Sequence, residues 1–316
     1  MPGAILARVS SPFEIVTGQR AALRDLSERG LLRASGADRV RFLNGMLAND
    51  VAKLAPGDAR PSLQLDRKGH VLAELWVLAE PDAILLDVAP GLEPELRAVL
   101  EKHIIADDVA IESQTDAIGQ LGIEGPEARE AVRAIGGATP DPGRFERASF
   151  AGESLVFVAG GSLGDEGVRV LAPRALLPRL REALALPELA PDAAEALRIE
   201  AAIPALGRDV TARNFPQEAR LERAFSLTKG CYVGQEIVAR IASRGAVNRL
   251  LVKLRTRELV APGAEIRVGD TAVGQVTSSA VSAASGPIAL GYVRAADARA
   301  GAAVQIGAVS GEITDD

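Results

Sequence analysis

The sequence predicts an α+β core followed by a small all-β barrel. Up to about residue 245, apolar stretches with helical spacing alternate with stretches of strand character. After Asn248 the apolar stretches become short and are separated by Gly, Pro and Asp turns, which is typical of a small barrel. A length of 316 residues favours about two domains. We therefore predict an α+β region at residues 1–245 and a β-barrel domain at residues 246–316.

The first elements alternate in type. A helix is predicted in SGADRVRFLNGML, where Ser35 can cap the N-terminus and Val40, Leu43 and Leu47 recur at helical spacing. Strands are predicted in PSLQLD, HVLAELWVL and AILLDVAP, which are apolar runs bounded by Pro, Gly and Asp. A second helix follows in GLEPELRAVLEKHI, with Pro94 at an early helical position.

A similar order of strand and helix returns in GVRVLAP and RALLPRLREAL, which hints at two related α+β halves. A further helix begins at Pro191 in PDAAEALRIEAAIPALG and ends before Pro204, so that Arg198 and Glu200 lie near its C-terminal end. The barrel strands are predicted in LLVKLRTRELV, AEIRVG, TAVGQVTSSAVS, PIALGYVR and AAVQIGAVSGEI, with a short helical turn around Ala296.

Composition excludes several classes of protein. The hydrophobic content of 47% and charged content of 25% are typical of an ordinary globular protein. A net charge of −6 and an aromatic content of 3% argue against direct nucleic-acid binding. The N-terminus lacks the pattern of a secretory signal, and the uncharged stretch Thr271–Val293 is too polar for a membrane span. The single cysteine excludes an internal disulfide, so we expect a cytoplasmic protein without membrane contact.

That cysteine lies in the stretch Thr228–Arg240, TKGCYVGQEIVAR. Gly230 and Gly234 permit a tight loop that presents the thiol. A neighbouring cation, Lys229 or Arg240, would favour the thiolate, which is the nucleophile and the metal ligand. The alternative is a buried cysteine that packs as a small hydrophobe.

Other uses of the thiol rank lower. A Cys–His pair would need His70 or His103, the two histidines of the chain, and His103 lies on a predicted helix face where packing is the commoner role. One cysteine cannot supply an iron–sulfur or zinc site within one chain, so we predict no metal site. At most, Cys231 would share a cluster with a second chain or with a partner.

Two further features suit ligands. Glu200 lies in a largely apolar stretch, where an acid can accept the N–H donors of a heterocycle; the alternative is an exposed acid paired with Arg198. From Arg240 to Arg257 the chain carries six basic residues and no acidic one. This run suits an anionic tail or an RNA phosphate, although solvated charges along strands are the commoner explanation.

The stretch KGCYVGQE, with Arg240 after it, resembles the motif of the YgfZ-type folate-binding proteins, which are similar to the aminomethyltransferase T-protein of the glycine cleavage system. The resemblance extends through ADRVRFLNGMLANDV, LQLDRKGHVLAELWV, LRIEAAIPALGRDV and GQVTSSAVSAASGPIALGYV, and so covers almost the whole chain.

The resemblance implies a tetrahydrofolate-binding core of α+β subdomains with a C-terminal barrel. It also implies a role in assembling or maintaining iron–sulfur clusters in client proteins, including enzymes that thiolate tRNA. Cys231 then becomes the functional residue, with Lys229 beside it, and Glu200 matches the glutamate that contacts the pterin in T-proteins. Three more residues are assigned to the folate site: Asn44, Tyr232 and Arg240.

The sequence also departs from the T-protein pattern. T-proteins carry an acidic pair, including a catalytic aspartate, where this chain has Ala73 and Glu74. A run of arginines in T-proteins is replaced here by KGCY. We therefore predict a folate-dependent accessory factor for iron–sulfur proteins rather than an aminomethyltransferase. The alternatives are a folate-dependent aminomethyl or one-carbon transferase and an RNA-binding scaffold.

Overall fold

The computed structural model describes residues 12–164, 166–245 and 247–314. The elements before residue 135 are, in chain order, α1 (Pro12–Thr17), β1 (Ala22–Asp25), β2 (Gly30–Ser35), α2 (Arg39–Met46), β3 (Ala59–Leu65), β4 (Val71–Ala79), β5 (Ile84–Val88), α3 (Glu93–His103), β6 (Ala110–Ser113), β7 (Ile118–Glu124) and α4 (Ala128–Ala134). They continue with β8 (Phe145–Phe150), β9 (Glu153–Ala159), β10 (Gly167–Pro173), α5 (Leu177–Leu184), α6 (Pro191–Glu200) and α7 (Gln235–Arg244).

The core contains two antiparallel five-stranded sheets that share one connectivity. In the first sheet, of order β3-β4-β5-β2-β6, a strand, a helix, a three-stranded meander and a second helix follow one another from β2 to α3. In the second sheet, of order β1-β7-β10-β9-β8, the same succession runs from β7 to α5. The edge position of β6 is filled in the second sheet by β1, from the start of the chain. The two related α+β halves that the sequence hints at are therefore present.

The two sheets face each other and carry helices on their outer faces. Along β4, Leu75 and Val77 point outward into a cluster with α2 and α3, whereas Trp76 and Leu78 point toward the second sheet. The apolar layer between the sheets combines residues from both: Leu31, Ala59, Leu78, Leu85, Phe145, Val156, Val158 and Leu171. Alternation along each strand thus buries both faces of each sheet.

The C-terminal part forms a closed six-stranded barrel of order β11-β14-β13-β12-β15-β16. Its strands are β11 (Arg249–Thr256), β12 (Glu265–Val268), β13 (Thr271–Ser282), β14 (Gly286–Arg294), β15 (Ala303–Ile306) and β16 (Val309–Thr314). The predicted helical turn near Ala296 is a single 3₁₀ turn, Ala295–Asp297. The predicted α+β core with a C-terminal barrel is confirmed.

Helix α6 and the segment after it join the core to the barrel. Ile199 packs against Leu251 and Leu290 on the outside of the barrel. Asp209 is buried; it accepts hydrogen bonds from Arg198 Nη1 at 2.7 Å on the core side and from Ser278 Oγ at 2.7 Å on the barrel side. This carboxylate fixes the barrel against the end of α6.

Two local predictions need correction. Ser35 is the last residue of β2, and Asp38 is the residue that precedes α2. In α3 the side chains of Leu96 and Leu100 are buried, but His103, for which packing was expected, is exposed and its Nδ1 lies 2.7 Å from Val99 O. Within the described ranges, every helix is too short or too polar to cross a membrane.

Candidate functional site

The cysteine loop, residues 226–234, presents its thiol to solvent. The Cys231 side chain is exposed, so the alternative of a buried packing residue is wrong. Gly234 ends the loop with a φ of +84° immediately before α7. A Cβ at Gly234 would lie 2.6 Å from Asp66 O in the turn between β3 and β4, so glycine is required there.

Lys229 anchors the cysteine loop to the end of α2. Its Nζ donates to three backbone carbonyls: Asn44 O at 2.6 Å, Leu47 O at 2.6 Å and Asn49 O at 2.9 Å. Carbonyls at the C-terminal end of a helix carry partial negative charge, which suits an ammonium. Burial lowers the pKa of Lys229 to about 8. Since an ammonium has three hydrogens and the carbonyls use all three, the geometry gives Lys229 an anchoring role and leaves no donor for the thiolate.

Asn44 and Tyr232 also hold the loop and its support. Asn44 Oδ1 accepts the backbone N–H groups of Val51 at 3.0 Å and Ala52 at 3.2 Å. Tyr232 is buried against β3 and β4, its hydroxyl donates to Ser226 O at 3.2 Å, and burial raises its pKa to about 12. The contacts of both residues are structural, and their assignment to a folate site stays a prediction without geometric support.

Arg240 and the two histidines make contacts with residues other than Cys231. Arg240 Nη2 pairs with Glu236 Oε1 at 2.5 Å on an exposed part of α7. His70 Nδ1 lies 3.0 Å from Asp66 Oδ2, and its ring stacks on Phe215 with 4.8 Å between centroids. The described part of the chain shows no Cys–His hydrogen bond, and no group of three or more His, Cys, Asp or Glu side chains in it could hold a metal ion.

Glu200 ends α6 at the junction of core and barrel. Its Oε1 is buried and has no hydrogen-bond partner among the described residues, while its backbone oxygen accepts Lys253 Nζ at 3.0 Å. Arg198, the alternative partner, binds Glu195 Oε1 at 2.6 Å and Asp209 instead. The alternative of an exposed Glu200 paired with Arg198 is therefore wrong. Leaving a buried acceptor without a donor costs about 1–3 kcal/mol, and a ligand with N–H groups would remove that cost.

The structure shows a polar cluster between the two sheets that was not predicted from the sequence. Asp87 is fully buried in β5 and accepts Arg29 Nε at 2.6 Å and Gln120 Nε2 at 3.0 Å; Arg169 also pairs with it. Burial opposes the charge on Asp87, but Arg29 and Arg169 hold its pKa below the usual range. Asp87 and Arg169 are single charges at inward positions of apolar strands, and this was the available sequence signal.

Glu74 borders this inter-sheet cluster. It shares the inward face of β4 with Trp76, over whose ring the Arg169 guanidinium lies at 4.6 Å. Burial raises the pKa of Glu74, because the nearby arginines offset only part of the desolvation. Ala73 is buried on the opposite face of the strand. Of the two positions that match the acidic pair of T-proteins, the inward one therefore still carries a carboxyl group.

Within the described part of the chain, three of the six basic residues from Arg240 to Arg257 pair with acidic side chains. Arg249 Nε pairs with the buried Glu218 at 3.0 Å, and Arg255 Nη2 pairs with Glu312 at 3.3 Å. These arginines lie along β11 and pair with other segments, so the run does not form one continuous basic surface. The geometry offers little to the RNA-binding alternative.

The two-sheet core followed by a closed C-terminal barrel is the architecture of T-protein-like proteins. The GCVT N-terminal domain model matches residues 15–229, and the glycine cleavage T-protein C-terminal barrel domain model matches residues 249–314. This chain belongs to the glycine cleavage T-protein family. The two matches leave out residues 230–248, which contain Cys231 and α7, so the narrower YgfZ-type assignment stays a prediction.

Relatives carry transferase names. An aminomethyltransferase of Exiguobacterium sibiricum is 28% identical over 82% of this chain and 74% of its own length. A chloroplast protein of Arabidopsis thaliana that carries a provisional transferase name is 30% identical over 92% of this chain and 69% of its own. The crystal structure of glycine cleavage system aminomethyltransferase T from Bartonella henselae matches 96% of this chain and 87% of its own with a TM-score of 0.87, at 21% identity. That structural match shows the fold.

Proposed function

We propose that this protein binds a reduced folate and acts, through Cys231, as an accessory factor for iron–sulfur client proteins. The observation that carries the proposal is an exposed thiol on a loop that Lys229 fixes to the core by hydrogen bonds. Cys231 is exposed, while Lys229 two positions before it is bonded to three carbonyls of the core. A fixed loop with an accessible thiol suits contact with another protein, because little ordering of the loop is needed on binding.

The residues present fit a folate. Tetrahydrofolate, when bound, supplies a carrier of one-carbon units and a reduced pterin ring with several N–H donors. The unpartnered Oε1 of Glu200 can accept such a donor, and a carboxylate acceptor gives a charge-assisted hydrogen bond. Arg169 Nη2 and Gln120 Oε1 are also buried without partners among the described residues, in the polar cluster between the two sheets.

The thiol can act on a cluster as cargo. Thiolate is a good ligand for iron and an acceptor of sulfur, and Cys231 is the one residue of the chain with this chemistry. Because the described residues contain no metal-binding group, a cluster held by Cys231 would need ligands from a client or a second chain. We expect clients that lose oxygen-sensitive clusters, among them the tRNA-thiolating enzymes that the resemblance implies.

A one-carbon transferase is the second candidate, and Glu74 favours it. This carboxyl lies on the inward face of β4, and burial raises its pKa, so its protonated form is favoured relative to that of an exposed glutamate and the group is suited to proton transfer. The family and the names of its relatives agree with this candidate. Formation of methylenetetrahydrofolate from an aminomethyl-loaded lipoyl carrier by wild type, and its loss in Glu74→Gln, would favour transfer over the accessory role.

Titration with tetrahydrofolate tests the cofactor. We expect Glu200→Gln to weaken binding at least about tenfold, because a charge-assisted hydrogen bond is replaced by a neutral one. Glu182→Gln, which changes an exposed acid on α5, is the matched control and should bind as wild type does. No saturable binding by wild type, or equal binding by Glu200→Gln, would contradict the folate site.

A purified client tests the thiol. A cluster-containing enzyme is exposed to oxygen with wild-type protein or Cys231→Ser, both supplied with folate, and its remaining activity is followed over time. We expect wild type to slow the loss and the serine variant to have no effect. Equal protection by both proteins would contradict the role of Cys231.

A further inference from the structure

A cavity lies at the junction between barrel and core. Its volume is about 650 Å³, and its walls come from residues 208–214, from β13 and from β14. Neither Cys231, Glu200 nor Glu74 lines it. Cavities of about 300–1,000 Å³ at the junctions of domains commonly hold small molecules. This space is therefore large enough for an organic ligand and is separate from the residues of the proposed function.

Tyr292 lines this cavity and carries a buried hydroxyl without a partner in the described part of the chain. Its side chain is 7% exposed, and its hydroxyl has no hydrogen-bond partner among the described residues. The Arg249 guanidinium lies 5.0 Å from the ring centroid and holds the ring in place. Burial raises the pKa of Tyr292 above its ordinary value, so the hydroxyl keeps its proton at neutral pH. A protonated hydroxyl without a partner is available as a donor to a ligand.

One of the arginines that line the cavity lacks an ion-pair partner among the described residues. Four arginines line it, of which three are paired: Arg208 with Glu195 at 3.0 Å, Arg249 with Glu218 at 3.0 Å and Arg294 with Asp297 at 2.7 Å. The fourth, Arg213, has no ion-pair partner in the part of the chain that the structure describes.

The acidic residue in the cavity wall does not neutralise the charge of Arg213. Asp209 is the one acidic residue in the wall, and both of its oxygens already accept hydrogen bonds: Oδ2 from Arg198 and Ala205 N, Oδ1 from Thr277 and Ser278. The exposed Asn248 side chain adds a neutral amide at the wall. The cavity thus offers a free guanidinium, a hydroxyl donor and an amide donor within an acidic protein of net charge −6.

We propose that this cavity binds a small organic anion through a carboxylate or phosphate group, which accepts hydrogen bonds from Arg213 and Tyr292. A guanidinium presents two parallel N–H donors that match either group. The site would be a second ligand site at the core–barrel junction, independent of folate and of the thiol.

Calorimetric titration of the full chain with two probes tests the proposal. Inorganic phosphate and citrate represent the two possible anionic groups, and the preferred probe identifies the group. We expect saturable binding of at least one probe, weakened about tenfold in Arg213→Gln and about threefold to tenfold in Tyr292→Phe. Tyr292→Phe keeps the ring, and Arg213 is exposed, so both variants should fold. Arg257→Gln, which changes an exposed arginine just beyond β11, should bind as wild type does.

Several outcomes would overturn the proposal. The site does not exist as proposed if neither probe binds saturably, or if both variants bind as tightly as wild type. Displacement of the bound probe by tetrahydrofolate would show that the cavity belongs to the folate site. Unchanged tetrahydrofolate affinity in Arg213→Gln and Tyr292→Phe, together with weaker probe binding, would support a separate site.

Discussion

Substitution of Lys229 by methionine tests whether the cysteine loop is anchored as described. Methionine keeps the length and much of the apolar contact of the side chain but removes three donors and leaves three carbonyls near the end of α2 without their partner. Each hydrogen bond from a charged group contributes about 1.5–3 kcal/mol. Burying the ammonium offsets part of this, because a fall in pKa from 10.5 to about 8 corresponds to roughly 3 kcal/mol. For three such bonds less this cost, the expected loss in the free energy of unfolding is about 2–6 kcal/mol.

Urea unfolding of the full chain, followed by circular dichroism, measures this loss. Lys102→Met is the matched control: Lys102 is exposed on α3 and has no ion-pair partner among the described residues, so its replacement should change stability by less than about 1 kcal/mol. A loss in Lys229→Met no larger than that in Lys102→Met would refute the anchoring role. The lysine would then be free to act on the thiol.

Three further outcomes are expected. Cys231 should react with a thiol reagent in the folded protein as fast as a small exposed thiol does, and Cys231→Ser should change the free energy of unfolding by less than about 0.5 kcal/mol. Gly234→Ala should lower that free energy by about 1–3 kcal/mol in urea unfolding, since a Cβ meets Asp66 O at 2.6 Å; Gly245→Ala, with open space around it, should cost less. Burial raises the pKa of Glu124 from 4.5, so the folded state holds this proton more tightly and the contribution of Glu124 to stability falls as pH rises above about 4.5. Glu124→Gln should therefore be more stable than wild type at pH 7, with the difference lost by pH 4; an equal difference at both pH values would contradict this.

Much of the fold follows from local pattern. The strands of the core and barrel are apolar runs ended by Gly, Pro or Asp, and these runs predicted their positions. Helix α7 is absent from the prediction, because the glycines of KGCYVG favour a loop and the helix begins only after Gly234. Its short amphipathic run carries no distinctive N-cap residue.

The site was harder to predict, because its contacts join distant parts of the chain. Lys229 and Cys231 are neighbours in sequence, yet the lysine points into the core toward Asn49 while the thiol faces solvent. Asp87 and Arg169 are separated by more than eighty residues and meet only because two sheets stack face to face. Glu200 was predicted as a ligand from resemblance, and the structure adds an unpartnered carboxylate oxygen that sequence cannot reveal.

The most direct test of the proposed role of Cys231 is the activity of a cluster-dependent tRNA-thiolating enzyme in cells that lack this protein. The cells are supplied with wild type or Cys231→Ser at matched expression, and thiolated tRNA is quantified. We predict that wild type restores thiolation and that Cys231→Ser does not. Full restoration by Cys231→Ser would contradict a functional thiol, and failure of wild type itself would contradict the accessory role and leave one-carbon transfer as the function of this fold.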